Sequence, residues 1–275
     1  MKTSISAVVR TWNSARTLAK TLRSLRIQSQ APSEIIIVDS GSNDRTREIA
    51  DQHGCRWVDY PAGDAFNYSA SLNLGIANAS GEEILIVSSH TVLLYRDIVE
   101  TMRANLHQHD AAGVYCTHSR SNGPLLKRDD PLRGQAEVTR LNTFQGYNGL
   151  SNSCSLIRRA CWEQHPFDPT MPSAEDQEWA HWFFQNTSKP TVRIRGAGVL
   201  YLNPHATIRK EARDRVVIAT RLLPALRSWH SILGLFRGSA IGALQGRRQL
   251  AAKDIVIATE LLKSRLRPLK YTSRY

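Results

Sequence analysis

The sequence has little cysteine, little acid toward its C-terminus and no long apolar run. Its 275 residues hold four cysteines, Cys55, Cys116, Cys154 and Cys161, with no C-x-x-C pair. That excludes a zinc knuckle and the disulfide framework of a small secreted domain, and reduced thiols are expected. No stretch approaches membrane-spanning length, and Met1 to Arg10 runs into a strand pattern without the apolar core of a signal peptide. Such a chain is expected to be cytoplasmic, able to lie on the inner face of a membrane but not to cross it. The first loop, Thr11-Trp12-Asn13-Ser14, lacks the glycines of a phosphate-cradling loop, which argues against a nucleotidyltransferase. There is no internal repeat and no known nucleic-acid-binding module, so nucleic acid is not an expected partner.

What charge there is lies unevenly. The net charge is +12, yet residues 1–205 hold 21 Lys and Arg against 20 Asp and Glu, while residues 206–275 hold 15 against 4. Two parts with two partners are therefore expected: a near-neutral domain over 1–205 and a basic helical region over 206–275. In the latter, Ile218, Leu222, Leu226, Trp229, Leu233 and Phe236 fall on one helical stripe interrupted by Pro224, which can instead open a helix as its first residue. Arg221, Arg227, Arg237, Arg247 and Arg248 supply charge. This composition suits an interfacial helix on anionic lipid. It equally suits a helix packed on the domain, or a homo-oligomer contact, with a solvated basic face.

The domain reads as an alternation. Ser4 to Arg10 is a first strand, and Ser14 a cap for a helix burying Leu18, Leu22 and Leu25. Glu34-Ile35-Ile36-Ile37-Val38 has the unbroken β-branched run of a strand buried on both faces, and it stops at Asp39. Ser40-Gly41-Ser42-Asn43 is turn chemistry, with Asp44 capping the next helix. Asp39 either bonds its own turn or faces a ligand, since open α/β sheets bind ligands beyond such strand ends. A third strand over 55–58, a helix carrying Phe66, Ala70, Leu74 and Ala77, a fourth strand over 82–87, a helix over 97–109 and a strand over 113–117 follow. A long loop to Phe144 breaks the pattern. A strand over 149–157, a helix over 159–164, a helix bearing Trp179, Trp182 and Phe183, and a last short strand over 192–202 complete it. The alternation specifies a doubly wound, mostly parallel α/β sheet.

Three segments carry a resemblance. Val8-Val9-Arg10-Thr11-Trp12-Asn13 is similar to an opening strand and Pro-Thr-Tyr-Asn turn, with Arg and Trp replacing Pro and Tyr. Val38-Asp39-Ser40-Gly41-Ser42-Asn43-Asp44-Arg45-Thr46 matches Val-Asp-Asp-Gly-Ser-x-Asp-x-Thr, and Asn73 to Glu82 resembles Asn-x-Gly-x-x-x-Ala-x-Gly-Glu. In this order they resemble family 2 glycosyltransferases of the GT-A fold over about residues 4–205. Gly146 to Ser153 resembles the Asn-Ser-rich strand of the rhamnosyltransferase-like branch.

The resemblance implies a hexosyltransferase-type enzyme that moves a sugar, with inversion, from a nucleotide diphosphate to a hydroxyl of a glycan or lipid-linked acceptor in surface polysaccharide synthesis. Thr11, Trp12, Asn13 and Asp39 would form the base slot, the carboxylate accepting from a pyrimidine N–H. Ser69 and Asn73 would face the ribose or diphosphate, with Ser88 and Ser89 beside them; Ser69 also suits a core or cap position. Where the family has Asp-x-Asp, this chain has Ser88-Ser89-His90, which removes both carboxylates of a Mg²⁺ site. His90 and His205 would hold the diphosphate directly or share a cation such as Mn²⁺ with it. Asp176 matches the catalytic base. Asn152 and Glu175 would serve the acceptor, and Trp179 is either pocket wall or core. Loss of the metal carboxylates leaves a sugar-nucleotide-binding pseudoenzyme as the rival expectation.

Overall fold

The computed structural model describes residues 4–61, 66–120, 134–140, 149–202 and 208–266. They fall into two compact units, Met1–Pro169 with Glu175–Asn203, and Thr170–Ala174 with Pro204–Tyr275.

The first unit is built on one nine-stranded sheet. Its elements are β1 (Ile5–Thr11), α1 (Leu18–Arg26), β2 (Glu34–Asp39), α2 (Thr46–Gln52), β3 (Arg56–Asp59), α3 (Tyr68–Ala77), β4 (Glu83–Ser88), β5 (Thr91–Leu93), α4 (Ile98–Gln108), β6 (Gly113–Arg120), β7 (Ala136–Thr139), β8 (Cys154–Arg158), α5 (Arg159–Gln164), α6 (Glu175–Asn186) and β9 (Thr191–Tyr201). The strand order is β3-β2-β1-β4-β8-β6-β9-β5, with β7 on β9. The β-branched run of β2 is buried on both faces, Ile35 and Ile37 in one apolar core and Ile36 and Val38 in the other. Helices cover both sides, as a sheet with two apolar faces requires.

Strands β3, β2, β1 and β4 run parallel, with Thr11 opposite Asp39 and Arg10 opposite Ser88. Four strand ends thus finish on one edge. Beyond β4 the sheet is mixed: β8 is antiparallel to β4 and to β6, while β9 is parallel to β6.

Several boundaries move. Strand β8 starts at Cys154 rather than Gly149, because the preceding stretch is held from outside the sheet: Gln177 accepts from the Gly149 N–H at 3.2 Å and donates to the Leu150 carbonyl. The region expected as one loop contains β7, which pairs antiparallel with β9, and β6 runs on to Arg120. Residues 121–133 and 141–148 of that loop lie outside the described residues. The last strand is long, not short. Helix α1 begins after Thr17, so Ser14 is not its cap, and Asp44 stands one residue before the cap position Arg45 of α2, where its carboxylate takes the N–H of Thr46, the first helical residue.

The second unit is helical: α7 (Ile208–Arg221), a 3-10 turn (Pro224–Arg227), α8 (Trp229–Leu244) and α9 (Arg248–Leu266). Its core includes Ala212, Val216, Ala219, Ile232, Ile257 and Leu261. The single stripe expected here is divided. Pro224 opens the 3-10 turn, where its missing N–H costs nothing, and Ser228 caps α8 by accepting from the Ser231 N–H at 3.1 Å.

Candidate active site

The strand ends on the parallel edge are tied together by short polar side chains. Thr11 donates to Asp39 Oδ1 at 2.7 Å and Ser42 donates to the same oxygen at 2.5 Å; Oδ2 accepts from the Gly41 and Ser42 N–H groups at 2.9 and 2.7 Å. The buried Asp39 carboxylate therefore holds four donors, three from its own turn. A base can reach it only by displacing one of them. Asn13, in the left-handed region at φ 48°, donates its N–H to Ser42 at 2.8 Å and accepts from the Asn43 N–H at 2.9 Å, so the loops after β1 and β2 are laced into one wall. Trp12 stands on that wall 63% exposed, a free aromatic face beside backbone rich in polar groups.

Strand β4 adds the next part of the edge. The Ser89 hydroxyl pairs with that of Ser14 at 2.8 Å, and the Ser89 carbonyl accepts from Thr21 at 3.0 Å. Ser14, the expected cap, thus joins the ends of β1 and β4 instead. Ser88 donates to the Asn152 carbonyl at 3.4 Å. His90 follows, its ring edge-on to Tyr201 with centroids 4.6 Å apart, while its carbonyl accepts from the Leu202 N–H at 2.7 Å.

The acceptor-side carboxylates are fixed from this same edge. Arg10 donates to Glu175 Oε1 at 3.2 Å and to the Tyr68 carbonyl at 3.0 Å, with its guanidinium 4.9 Å from the Tyr68 ring centroid. Both charged side chains of the Arg10–Glu175 pair are largely buried. Asn152 gives its N–H to Asp176 Oδ2 at 3.1 Å, its amide to Glu175 Oε1 at 3.4 Å, and accepts from Ser155 at 3.1 Å. Asp176, half-buried at the start of α6, also lies within electrostatic range of Tyr115. Burial pushes that phenol well above its usual range and the Glu137 and Asp176 carboxylates add to the rise, against the lowering effect of Arg193. A protonated phenol therefore stands near Asp176. Sequence reasoning noted Arg10 only as a departure from the turn pattern; a cation closing a buried strand needs a buried partner, and that was the signal.

Two expected site residues are scaffold. Asn73 gives its amide to the Phe167 carbonyl at 2.8 Å, and its carbonyl oxygen accepts from the Trp162 indole at 2.9 Å and the Phe167 N–H at 3.1 Å. Three of the four hydrogen-bonding positions of that amide are thereby taken, which leaves one N–H. Trp179 is core rather than pocket wall: it is fully buried among Phe167 and Phe183, with its indole donating to the His165 carbonyl at 2.7 Å. Ser69 is fully buried on α3, with no hydrogen-bond partner for its hydroxyl among the described residues, a core position rather than one that faces a ligand.

For a divalent cation the donor chemistry is thin. The end of β4 offers hydroxyls and one imidazole, His205 lies outside the described residues, and among the described residues no three His, Cys, Asp or Glu side chains come together as a metal cluster. That set does not fit a hard cation such as Mg²⁺, which takes carboxylate oxygen.

Comparison with known proteins bears on this edge. Residues 6–165 match the family model described as "Glycosyl transferase family 2". A 4,4'-diaponeurosporenoate glycosyltransferase of Staphylococcus aureus (strain bovine RF122 / ET3-1) is 26% identical over 177 residues, which cover 63% of this chain and 44% of that protein. The chain thus spans less than half the length of the curated relatives it matches. Among solved structures, the mannosyltransferase PcManGT of Pyrobaculum calidifontis, in complex with GDP-Man and Mn²⁺, superposes with a TM-score of 0.67 at 15% identity, covering 96% of this chain and 88% of that one. S. aureus TarS 1-349 in complex with UDP-GlcNAc gives 0.60 at 18% identity, covering 96% and 92%. At such identities the likeness is one of fold.

Proposed function

The chain belongs to glycosyl transferase family 2 and has the GT-A fold, and from that membership we propose that it is an inverting transferase, moving a sugar from a nucleoside diphosphate to a hydroxyl of a glycan or lipid-linked acceptor. The observation that carries the reading is the join between the two sides of the edge: Arg10, next in chain to the Asp39 partner Thr11, is ion-paired at 3.2 Å to Glu175, next in chain to Asp176. Donor-side turn and acceptor-side carboxylate are thereby set by one short path through β1.

In this reading Trp12 stacks on the base, and Thr11 and Asn13 with the turn that Asp39 organises close the slot around it. Ser88, Ser89 and His90, with His205, take the diphosphate. Asn152 and Glu175 orient the acceptor. Asp176 removes the proton of the acceptor hydroxyl as that oxygen attacks the anomeric carbon, and the C–O bond to the diphosphate breaks on the opposite face. One displacement with one base inverts the centre. No step here is assigned to a metal, since the described donor set does not suit a hard cation such as Mg²⁺. The catalytic unit is taken as residues 1–205. A lipid-linked acceptor would bring the chain to the inner face of a membrane.

Asp176→Asn is the test. Loss of the base lowers transfer by about 10²–10⁴-fold while leaving nucleotide binding in place. Turnover equal to wild type overturns Asp176 as the base, and none in either protein with a range of nucleotide sugars overturns the transferase reading and leaves the pseudoenzyme.

A further inference from the structure

Helix α8 is apolar on two sides, and only one of them is used. Ile232, Ser239 and Gly242 are buried, Ser239 donating to the Ala251 carbonyl of α9 at 2.8 Å and Gly242 facing the same residue. The other side carries Trp229, Leu233, Ile241 and Leu244, exposed by 54, 60, 42 and 88%. Their spacing over 16 residues puts them on one stripe about 24 Å long, and the exposed Arg237, four residues from Leu233 and four from Ile241, falls within it. A surface helix ordinarily turns charge outward there.

The charge along this part of the chain is of one sign, and the Asp254 carboxylate approaches α8 at Gly238, on the side away from the stripe. Between Asp214 and Asp254 the chain has no carboxylate and seven Lys or Arg residues, of which Arg237, Arg247 and Arg248 lie on or directly after α8. The Arg265 guanidinium also sits 4.8 Å from the centre of the Trp229 ring. The occupant must therefore be apolar at its surface and negative around it. A second copy would set one basic region against another, and a nucleic acid has nothing to cover two leucines and an isoleucine. Among the described residues no helix is long and apolar enough to cross a membrane, so a helix of this kind lies in the plane of one.

We propose that the outer face of α8 seats in the headgroup region of an anionic bilayer, with Trp229, Leu233, Ile241 and Leu244 in the acyl boundary, Arg237 reaching back to the lipid phosphates by its long stem, and Arg247 and Arg248 on phosphates beyond the helix end. This does not depend on the transferase reading, because binding and turnover are measured separately. The test is co-sedimentation of the full chain with vesicles of equimolar phosphatidylcholine and phosphatidylglycerol, against phosphatidylcholine alone. Binding at least about tenfold tighter to the anionic vesicles is expected, weakening as salt is raised. Leu233→Glu with Leu244→Glu lowers it by about tenfold or more, since each leucine loses its apolar seat. Equal binding to both vesicles, or unaltered binding by the double variant, overturns the proposal. So does a dimer in sedimentation velocity that the same variant dissociates, which would make the stripe a self-association face. Should the variant not fold, the wild-type chain decides alone: vesicles shift its tryptophan emission to the blue and the shift shrinks in Trp229→Phe, whereas no shift in wild type overturns the proposal.

Discussion

Arg10 occupies a position where the family's turn has proline, and the substitution exchanges a stiff ring for a buried charge. Among the described residues its guanidinium is satisfied by Glu175, the Tyr68 carbonyl and the Tyr68 ring. Removing one member of a buried ion pair leaves the other uncompensated, at about 3–5 kcal/mol, whereas removing both costs much less. Arg10→Ala is therefore expected to destabilise the protein strongly in urea denaturation. Arg10→Ala with Glu175→Gln should recover a large part of the loss, a coupling of about 1–3 kcal/mol in the double-mutant cycle. Additive losses would mean that the pair does not hold the start of α6. Asp39 teaches the reverse lesson. Its position at a strand end was legible, and so was the choice between turn and ligand, but only the structure counts four donors on its oxygens.

At the scale of elements, the order of strands and helices from β1 to β4 was legible because each carries its own period: β-branched runs for β1, β2 and β4, and Leu18, Leu22 and Leu25 for α1; the three-residue β5 that follows is too short to carry one. What was not legible is held by distant partners. Strand β7 has a half-exposed sequence that means little until β9 lies beside it, and the start of β8 is set by Gln177, 27 residues away from Leu150. The glycines of the third motif are the instructive case. They are places of close approach: a Cβ on Gly75 would stand 2.5 Å from Val8 Cγ1 and 2.8 Å from Val38 Cγ2, and one on Gly81 would stand 2.6 Å from the Ser6 backbone nitrogen and 3.0 Å from the Ile5 carbonyl carbon. Backbone cannot give way as a flexible side chain can. The same crossing is clamped by Glu34, whose Oε1 accepts from Ser6 and Ser80 hydroxyls at 2.6 and 2.7 Å. Gly81→Ala is thus expected to cost about 1–3 kcal/mol or more by overpacking, read as a lower urea midpoint with unchanged slope. A neutral result would mean that the β1–β4 entry is looser than these distances.

For the whole molecule, the contrast between a domain of net +1 and a tail of net +11 was plain in the sequence, while the face the tail presents was not. Periodicity joined Ile218 to Phe236 in one stripe, but the break at Pro224 lets α8 turn Trp229 and Leu233 outward. A ligand that binds only the folded state raises the stability of the chain by RT ln(1 + [L]/Kd), about 2.7 kcal/mol at a hundredfold excess over Kd. For a chain of this size that is a rise of about 5–10 °C in Tm, at roughly 2–4 °C per kcal/mol. If Trp12 and the wall of Thr11, Asn13 and Asp39 form the base slot, one nucleoside diphosphate among UDP, GDP and dTDP will give such a rise while the others give less. Because the end of β4 brings hydroxyls and an imidazole in place of two carboxylates, the rise is expected to survive EDTA and to gain nothing from Mg²⁺. Stabilisation that appears only with a divalent cation would refute that part and point to carboxylates beyond the described residues. No rise with any nucleotide, in the presence or absence of Mn²⁺, would remove the donor slot itself and with it the proposed transfer.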